Sequence, residues 1–145
     1  MGASDLFRDE VLSLLPQIMQ RLRGDRPLPV GLRALTPPQL RALATIAFNA
    51  RGTMGELARA LHVTLGAATG LVDRLLQQGL VARLPDPRDR RLVRLQLTEA
   101  GRRAHLTAVR RRRRRMGFAL ARLSPEQCGQ VVTALRLLRD ALGDG

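Results

Sequence analysis

The chain has no tryptophan, no tyrosine and no lysine, and its 145 residues include only three phenylalanines, two histidines and one cysteine. Each shortage removes a class of chemistry. The single cysteine, Cys128, excludes an internal disulfide. His62 and His105 lie far apart with no acidic or thiol residue close by, so neither a metal site nor any other cofactor is expected. Scarce aromatics leave little on which unpaired bases could stack. No apolar run approaches the roughly 18 residues of a membrane span. The N-terminus carries Asp5, Asp9 and Glu10 rather than a basic segment ahead of a hydrophobic one, so the chain reads as cytoplasmic with no membrane partner. Neither a glycine-rich phosphate loop nor a local nucleophile-and-base set is present, which argues against an enzyme.

What is abundant is arginine. The net charge is +13 and the isoelectric point about 11.9, and a polyanionic partner is the first inference. All 25 basic residues are arginine, in a chain also rich in alanine and leucine. GC-rich coding gives that bias without selection for binding. The placement of charge, not its total, therefore carries the argument.

Apolar periodicity and caps divide the chain into elements. Phe7, Val11, Leu14, Leu15, Ile18 and Leu22 form a helical stripe over Asp5 to Arg23, with a kink expected at Pro16. Gly24 to Leu35, with Pro27, Pro29 and Gly31, reads as a connector. Thr36-Pro37-Pro38-Gln39 is a capping box with proline at the first helical position, and a second helix should run to about Asn49. Thr53 to Glu56 repeats the box for a short third helix ending at Leu61. Thr64 caps a fourth almost at once, over Leu65 to Gln78, with Gly79 closing it. Two short helices joined this tightly predict a helix-turn-helix. Ala68, Leu71, Val72, Leu75 and Leu76 form the inner face of the fourth helix; Thr64, Gly66, Ala67, Thr69, Gly70 and Arg74 lie opposite. A long helix begins at Thr98-Glu99 and passes through Leu106, Val109, Met116, Leu120 and Leu123. Ser124-Pro125-Glu126-Gln127 caps a last one, with Val131, Val132, Leu135, Leu138 and Leu142 inward.

Between the fourth and fifth helices, Leu80 to Leu97 has the pattern of a β-hairpin. Pro85, Asp86, Pro87 and Asp89 supply turn residues, and Val93, Leu95 and Leu97 alternate along the returning strand. Its tip gathers Asp86, Arg88, Asp89, Arg90 and Arg91. An isolated hairpin of this kind would be a solvated turn. Behind a helix-turn-helix it reads as a DNA-binding wing, with arginines positioned for a minor groove or for phosphates.

The continuous run from Gly55 to Arg102, with LVDRL, then QQGLV, then the Asp-x-Arg-rich wing, then LTEAG, resembles the MarR family of transcriptional regulators. The resemblance implies a homodimer in which the terminal helices of two chains interlock. It also implies two recognition helices about 34 Å apart on a pseudo-palindromic operator, and repression relieved by a small, often aromatic or anionic, effector. Base readout would fall on Thr64, Gly66, Ala67, Thr69, Gly70 and Arg74, a face with few long polar side chains. Small residues there permit close approach, and Thr69 and Ala67 suit thymine methyls. In the wing, Arg91 is the residue expected in the minor groove, held by Asp89 two positions earlier, with Arg88 and Arg90 on phosphates. Some relatives carry an acidic residue at the position of Thr64 that pairs with the wing; Thr64 cannot, which leaves the brace between helix and wing open.

The fold class expected is mainly α with a small β-hairpin wing. Residues 1–35 form an N-terminal dimerisation helix and connector, 36–97 the winged helix-turn-helix domain, and 98–145 the C-terminal dimerisation helices. Phe7, Val11, Leu14, Leu120, Leu123, Val131, Leu135 and Leu138 are assigned to dimerisation. Six arginines, Arg110 to Arg115, wrap around the long helix, as a solvated or partner-paired face, a phosphate patch, or the rim of an effector pocket. The expected function is sequence-specific repression. The rivals are a non-specific nucleic-acid-packaging protein and a redox-sensing regulator acting through Cys128, for which a small, semi-buried cysteine is the plainer account.

Overall fold

A computed structural model describes residues 3–24, 28–30, 33–49, 52–89 and 91–143. The elements in order are α1 (Ala3–Arg23), β1 (Leu28–Val30), β2 (Arg33–Leu35), α2 (Pro37–Phe48), α3 (Met54–Leu61), α4 (Leu65–Gln77), β3 (Val81–Pro85), β4 (Val93–Leu97), α5 (Glu99–Leu120) and α6 (Pro125–Leu142). The fold is therefore mainly helical with a hairpin wing, as expected. The chain divides into two compact units, Met1–Arg110 and Arg111–Gly145, with the boundary inside α5.

The caps read from the sequence are present. Gln39 Oε1 accepts the Thr36 N–H at 2.8 Å ahead of α2, and Glu56 Oε2 accepts the Thr53 N–H at 2.7 Å ahead of α3. At α6, the Ser124 N–H donates to Gln127 Oε1 while the Ser124 hydroxyl accepts the Gln127 N–H. Each box satisfies donors that a helix start leaves free. The end of α4 is equally defined. Gly79 takes φ +69°, its N–H donates to Leu76 O, and the Leu80 N–H reaches back to Leu75 O. That pair of bonds is a Schellman motif, with Gln78 as the cap and Gly79 one residue beyond it.

One feature differs from expectation. The stretch read as a plain connector contains an antiparallel pair, β1 with β2, in which Leu28 faces Leu35 and both are buried. α1 is a continuous helix over Ala3–Arg23 with Pro16 inside it, as read from its apolar stripe.

The core lies in the first unit. Leu35, Leu43, Val72, Leu75, Leu80 and Leu95 are fully enclosed, so α2, α4, the β1–β2 pair and the wing share one apolar centre. Burying each leucine contributes about 1.5–3 kcal/mol. Val93 is the exception on β4. It remains 48% exposed because it sits near the tip, beyond the reach of the core that takes Leu95 and Leu97. In the second unit α6 has no buried residue at all.

The start of α5 is clamped onto the end of α4. The Thr98 hydroxyl donates to Gly79 O at 2.6 Å and accepts the Gly101 N–H at 3.1 Å, while the Thr98 N–H donates to Leu80 O at 3.0 Å. Gly101 makes this approach feasible: a β-carbon on it would lie 1.9 Å from Leu80 O.

Candidate nucleic-acid interface

The helix-turn-helix is α3 and α4, joined by a turn whose geometry rests on His62. That residue ends α3 in the left-handed conformation at φ 55°, which lets Thr64 begin α4 two residues later. Arg41 of α2 adds a tie, donating from Nη2 to Leu61 O at 2.9 Å. The Thr64 hydroxyl accepts the Ala67 N–H at 3.2 Å and is engaged as the N-cap.

The inner face of α4 is the expected one: Ala68, Val72 and Leu75 are buried, and Leu71 and Leu76 half-buried. Opposite, Thr64, Gly66, Ala67, Gly70 and Arg74 are exposed and Thr69 is half-buried. The Thr69 hydroxyl donates to Leu65 O at 2.8 Å, so what it offers outward is chiefly its methyl group. Among the described residues, and apart from the neighbouring turns of α4 itself, no atom lies within 4 Å of a β-carbon built on Gly66 or Gly70, so no close packing there requires glycine.

The wing is the β3–β4 hairpin, paired in the register Val81 with Leu97 through Pro85 with Val93. The Leu95 N–H also donates to Gly52 O at 3.3 Å, which ties β4 to the segment preceding α3. At the tip Arg88, Asp89 and Arg91 are exposed. Arg90, the other arginine assigned to the wing, lies outside the described residues.

The bracing differs from the sequence reading in two ways. Asp89 Oδ1 accepts the backbone N–H of Arg91 at 3.0 Å, so it fixes main chain rather than gripping the guanidinium. A carboxylate two residues before an amide closes an Asx-turn more readily than it meets a long side chain leaving the same bend. Among the described residues, the ion pair within the wing joins Asp86 to Arg94. The brace between recognition helix and wing is Asp73 of α4 with Arg83 of β3, Nη2 to Oδ1 at 2.9 Å, both about half-exposed.

Asp86 is nearly enclosed and ionised. The Arg88 backbone N–H holds its carboxyl below the usual carboxylate range most strongly; burial opposes that, while the Arg94 guanidinium and the Asp89 N–H reinforce it. Neither Asp86, Arg94, Asp73 nor Arg83 was given a specific bracing role from the sequence. For Asp86 and Arg94 a signal existed. With Leu84 opposite Arg94, residue 86 is a diagonal neighbour of 94 on the same face of the hairpin.

The remaining assigned residues lie elsewhere. On α1, Phe7 is 68% exposed, and Val11 and Leu14 are exposed. On and beyond α5, Leu120 is half-buried and Leu123 exposed; on α6, Val131, Leu135 and Leu138 are exposed. Cys128 is half-buried in the first turn of α6, its Sγ 3.6 Å from Leu120 O. In the arginine run, Arg110, Arg113 and Arg114 are exposed and Arg111, Arg112 and Arg115 half-buried. The Arg114 guanidinium lies 5.4 Å from the centre of the Phe118 ring. Asp9 and Asp140 pair with their sequence neighbours Arg8 and Arg139. Among the described residues there is no cluster of metal-ligating side chains and no helix long and apolar enough to cross a membrane.

A tight helix-turn-helix followed by an arginine-tipped hairpin defines a winged helix-turn-helix protein. Residues 35–93 match the profile described as MarR family. The chain is 36% identical over 105 residues to the multiple antibiotic resistance protein MarR of Escherichia coli, an alignment covering 69% of this chain and 71% of that one. It is 29% identical over 101 residues to the HTH-type transcriptional repressor MdtR of Bacillus subtilis, covering 70% and 65%. Among solved structures, RV1404 from Mycobacterium tuberculosis superposes with a TM-score of 0.78 at 27% identity, covering 100% of this chain and 97% of that one. The chain belongs to the MarR family of DNA-binding transcriptional regulators.

Proposed function

We propose that the protein is a cytoplasmic repressor that binds a pseudo-palindromic operator as a homodimer and releases it when a small anionic or aromatic effector binds. The observation that carries this reading is the pairing of an exposed, small-residue face on α4 with an exposed arginine tip on a wing braced to that same helix. In this reading Thr64, Gly66, Ala67, Thr69, Gly70 and Arg74 meet the major groove, with methyl groups and close backbone approach in place of long polar side chains. Arg91 enters the flanking minor groove, and Arg88 and Arg90 hold phosphates; Asp89 shapes the turn that presents them.

The terminal helices support dimerisation. A helix of 18 residues with none buried, and a 21-residue α1 that exposes Phe7, Val11 and Leu14, leave more apolar surface than a lone chain covers. Residues 1–35 and 98–145 then supply the dimer contacts, with 36–97 as the reading head. The name of the B. subtilis relative, a repressor, favours repression over activation.

An open groove of about 310 Å³ supports the effector. Ile46, Ala47, Leu97 and Leu106 give it apolar walls, and Gln96, Arg102 and His105 a polar edge suited to an anion. Its neighbours, β4 and the clamped start of α5, belong to the wing assembly, so occupancy there would bear on the wing.

A salt titration tests the reading, comparing the duplex upstream of the protein's own gene with a scrambled duplex of equal length. Specific recognition predicts affinities differing by about 10³ or more at moderate salt. Equal affinities would replace the reading with non-specific packaging.

A further inference from the structure

Asp86 is an acidic residue that opens the tip loop of a wing that the proposed function brings against phosphates, where a negative charge weakens binding. It is nevertheless only 5% exposed. Its Oδ1 accepts two backbone amides, Arg88 N–H at 2.7 Å and Asp89 N–H at 3.1 Å. Its Oδ2 receives the Arg94 guanidinium through both Nε and Nη2. Its own N–H donates to Leu92 O at 2.9 Å, and the Leu92 N–H returns to Asp89 O at 3.0 Å. One side chain thus ties the ascending turn to the descending strand, leaving Arg88 and Arg91 exposed on the loop it closes.

We propose that Asp86, held by Arg94, is a positioning residue for DNA recognition: it locks the wing turn in the conformation that presents Arg88 and Arg91 to the duplex. This rests on the reading of the wing as a DNA contact. Arg94 is only 21% exposed in its side chain, and its charge is directed at the carboxylate. It serves the interface through Asp86. Two charge-assisted links and two amide bonds on one carboxylate leave the tip little freedom, so the arginines are ordered before they meet DNA and less entropy is lost on binding.

The sign of the effect separates this from plain electrostatics. Removing a negative charge from a DNA-facing surface strengthens binding if charge alone matters; loss of the clasp weakens it. Asp86→Asn keeps the shape and one acceptor oxygen but leaves Arg94 without its counter-ion. The expected result is about tenfold weaker binding to the protein's own upstream duplex, little change on a scrambled duplex, and an unfolding midpoint within about 3 °C of the parent. Arg94→Gln should give the same loss, and the double variant should be no weaker than either single one, because both remove one unit. Binding by Asp86→Asn that equals or exceeds the parent, or a loss of equal size on both duplexes, overturns the proposal. A second measurement needs no DNA: amide exchange at Arg88 and Asp89 should quicken more than tenfold in Asp86→Ala. Unchanged protection overturns the clasp. A parent protein that fails to distinguish the duplexes overturns the function instead, and the exchange experiment then decides the clasp alone.

Discussion

Replacing Gly101 by alanine would put a β-carbon 1.9 Å from Leu80 O and 2.9 Å from Leu80 C, both backbone atoms. An ordinary carbon–oxygen contact is near 3.3 Å, so α5 must withdraw from the end of α4 by more than an ångström. That retreat stretches the Thr98 hydroxyl bond to Gly79 O and the Thr98 N–H bond to Leu80 O, now 2.6 and 3.0 Å. Two lost bonds remove about 2 kcal/mol, and residual crowding another 1–3 kcal/mol. The higher helix propensity of alanine returns about 1 kcal/mol. The net is a loss of about 2–4 kcal/mol, or roughly 5–15 °C in Tm for a chain of this size. Thermal unfolding followed by circular dichroism measures it. A variant melting within about 2 °C of the parent, or above it, would refute the argument that this close approach needs glycine.

Gly66→Ala and Gly70→Ala have open space around them; each should stabilise α4 by about 1 kcal/mol while weakening specific DNA binding, as calorimetry and a binding titration would show. Arg91→Ala should lose more specific affinity than Thr69→Ala, since the Thr69 hydroxyl is already bound to Leu65 O; the reverse order would move discrimination from the wing to the helix. Asp73→Asn should change stability by less than about 1 kcal/mol, the half-exposed pair with Arg83 being screened by solvent, yet weaken operator binding by loosening the wing relative to α4. Asp86 has a lowered pKa, so its stabilisation is fully present above the ordinary carboxylate value of 3.8 and is lost only as pH falls through the lower folded value. The difference in unfolding midpoint between the parent and Asp86→Asn should therefore hold constant down to about the ordinary carboxylate value and shrink between there and the lower folded value; shrinkage already at about pH 6 would contradict the pairing.

Local chemistry explains which parts were legible in the sequence. Capping boxes at Thr36, Thr53 and Ser124 are decided by residues three apart, and each forms as read. The inner face of α4 follows from helical period alone, and the wing from its turn residues. The β1–β2 pair was missed because Pro29 and the neighbouring glycines mark a loop, while the contact that makes it a pair, Leu28 against Leu35, matters only once the core covers both. The brace between helix and wing was missed for a similar reason. Asp73 and Arg83 meet only after the Schellman turn at Gly79 reverses the chain. Asp89 drew attention by its spacing from Arg91, yet Asp86 makes the ion pair, because the hairpin register brings Arg94 to it. Gly101 read simply as part of a motif; its necessity lies in the Leu80 carbonyl above it.

The central claim is that two copies of this reading head act on one duplex through paired helices and wings. Hydroxyl-radical footprinting of the protein on its own upstream region tests it most directly. The account predicts protection in two mirror-related segments centred about one helical turn apart, or a whole multiple of it, with flanking protections where the wings enter the minor groove. Uniform protection along the duplex, or a single unsymmetrical patch, would contradict it.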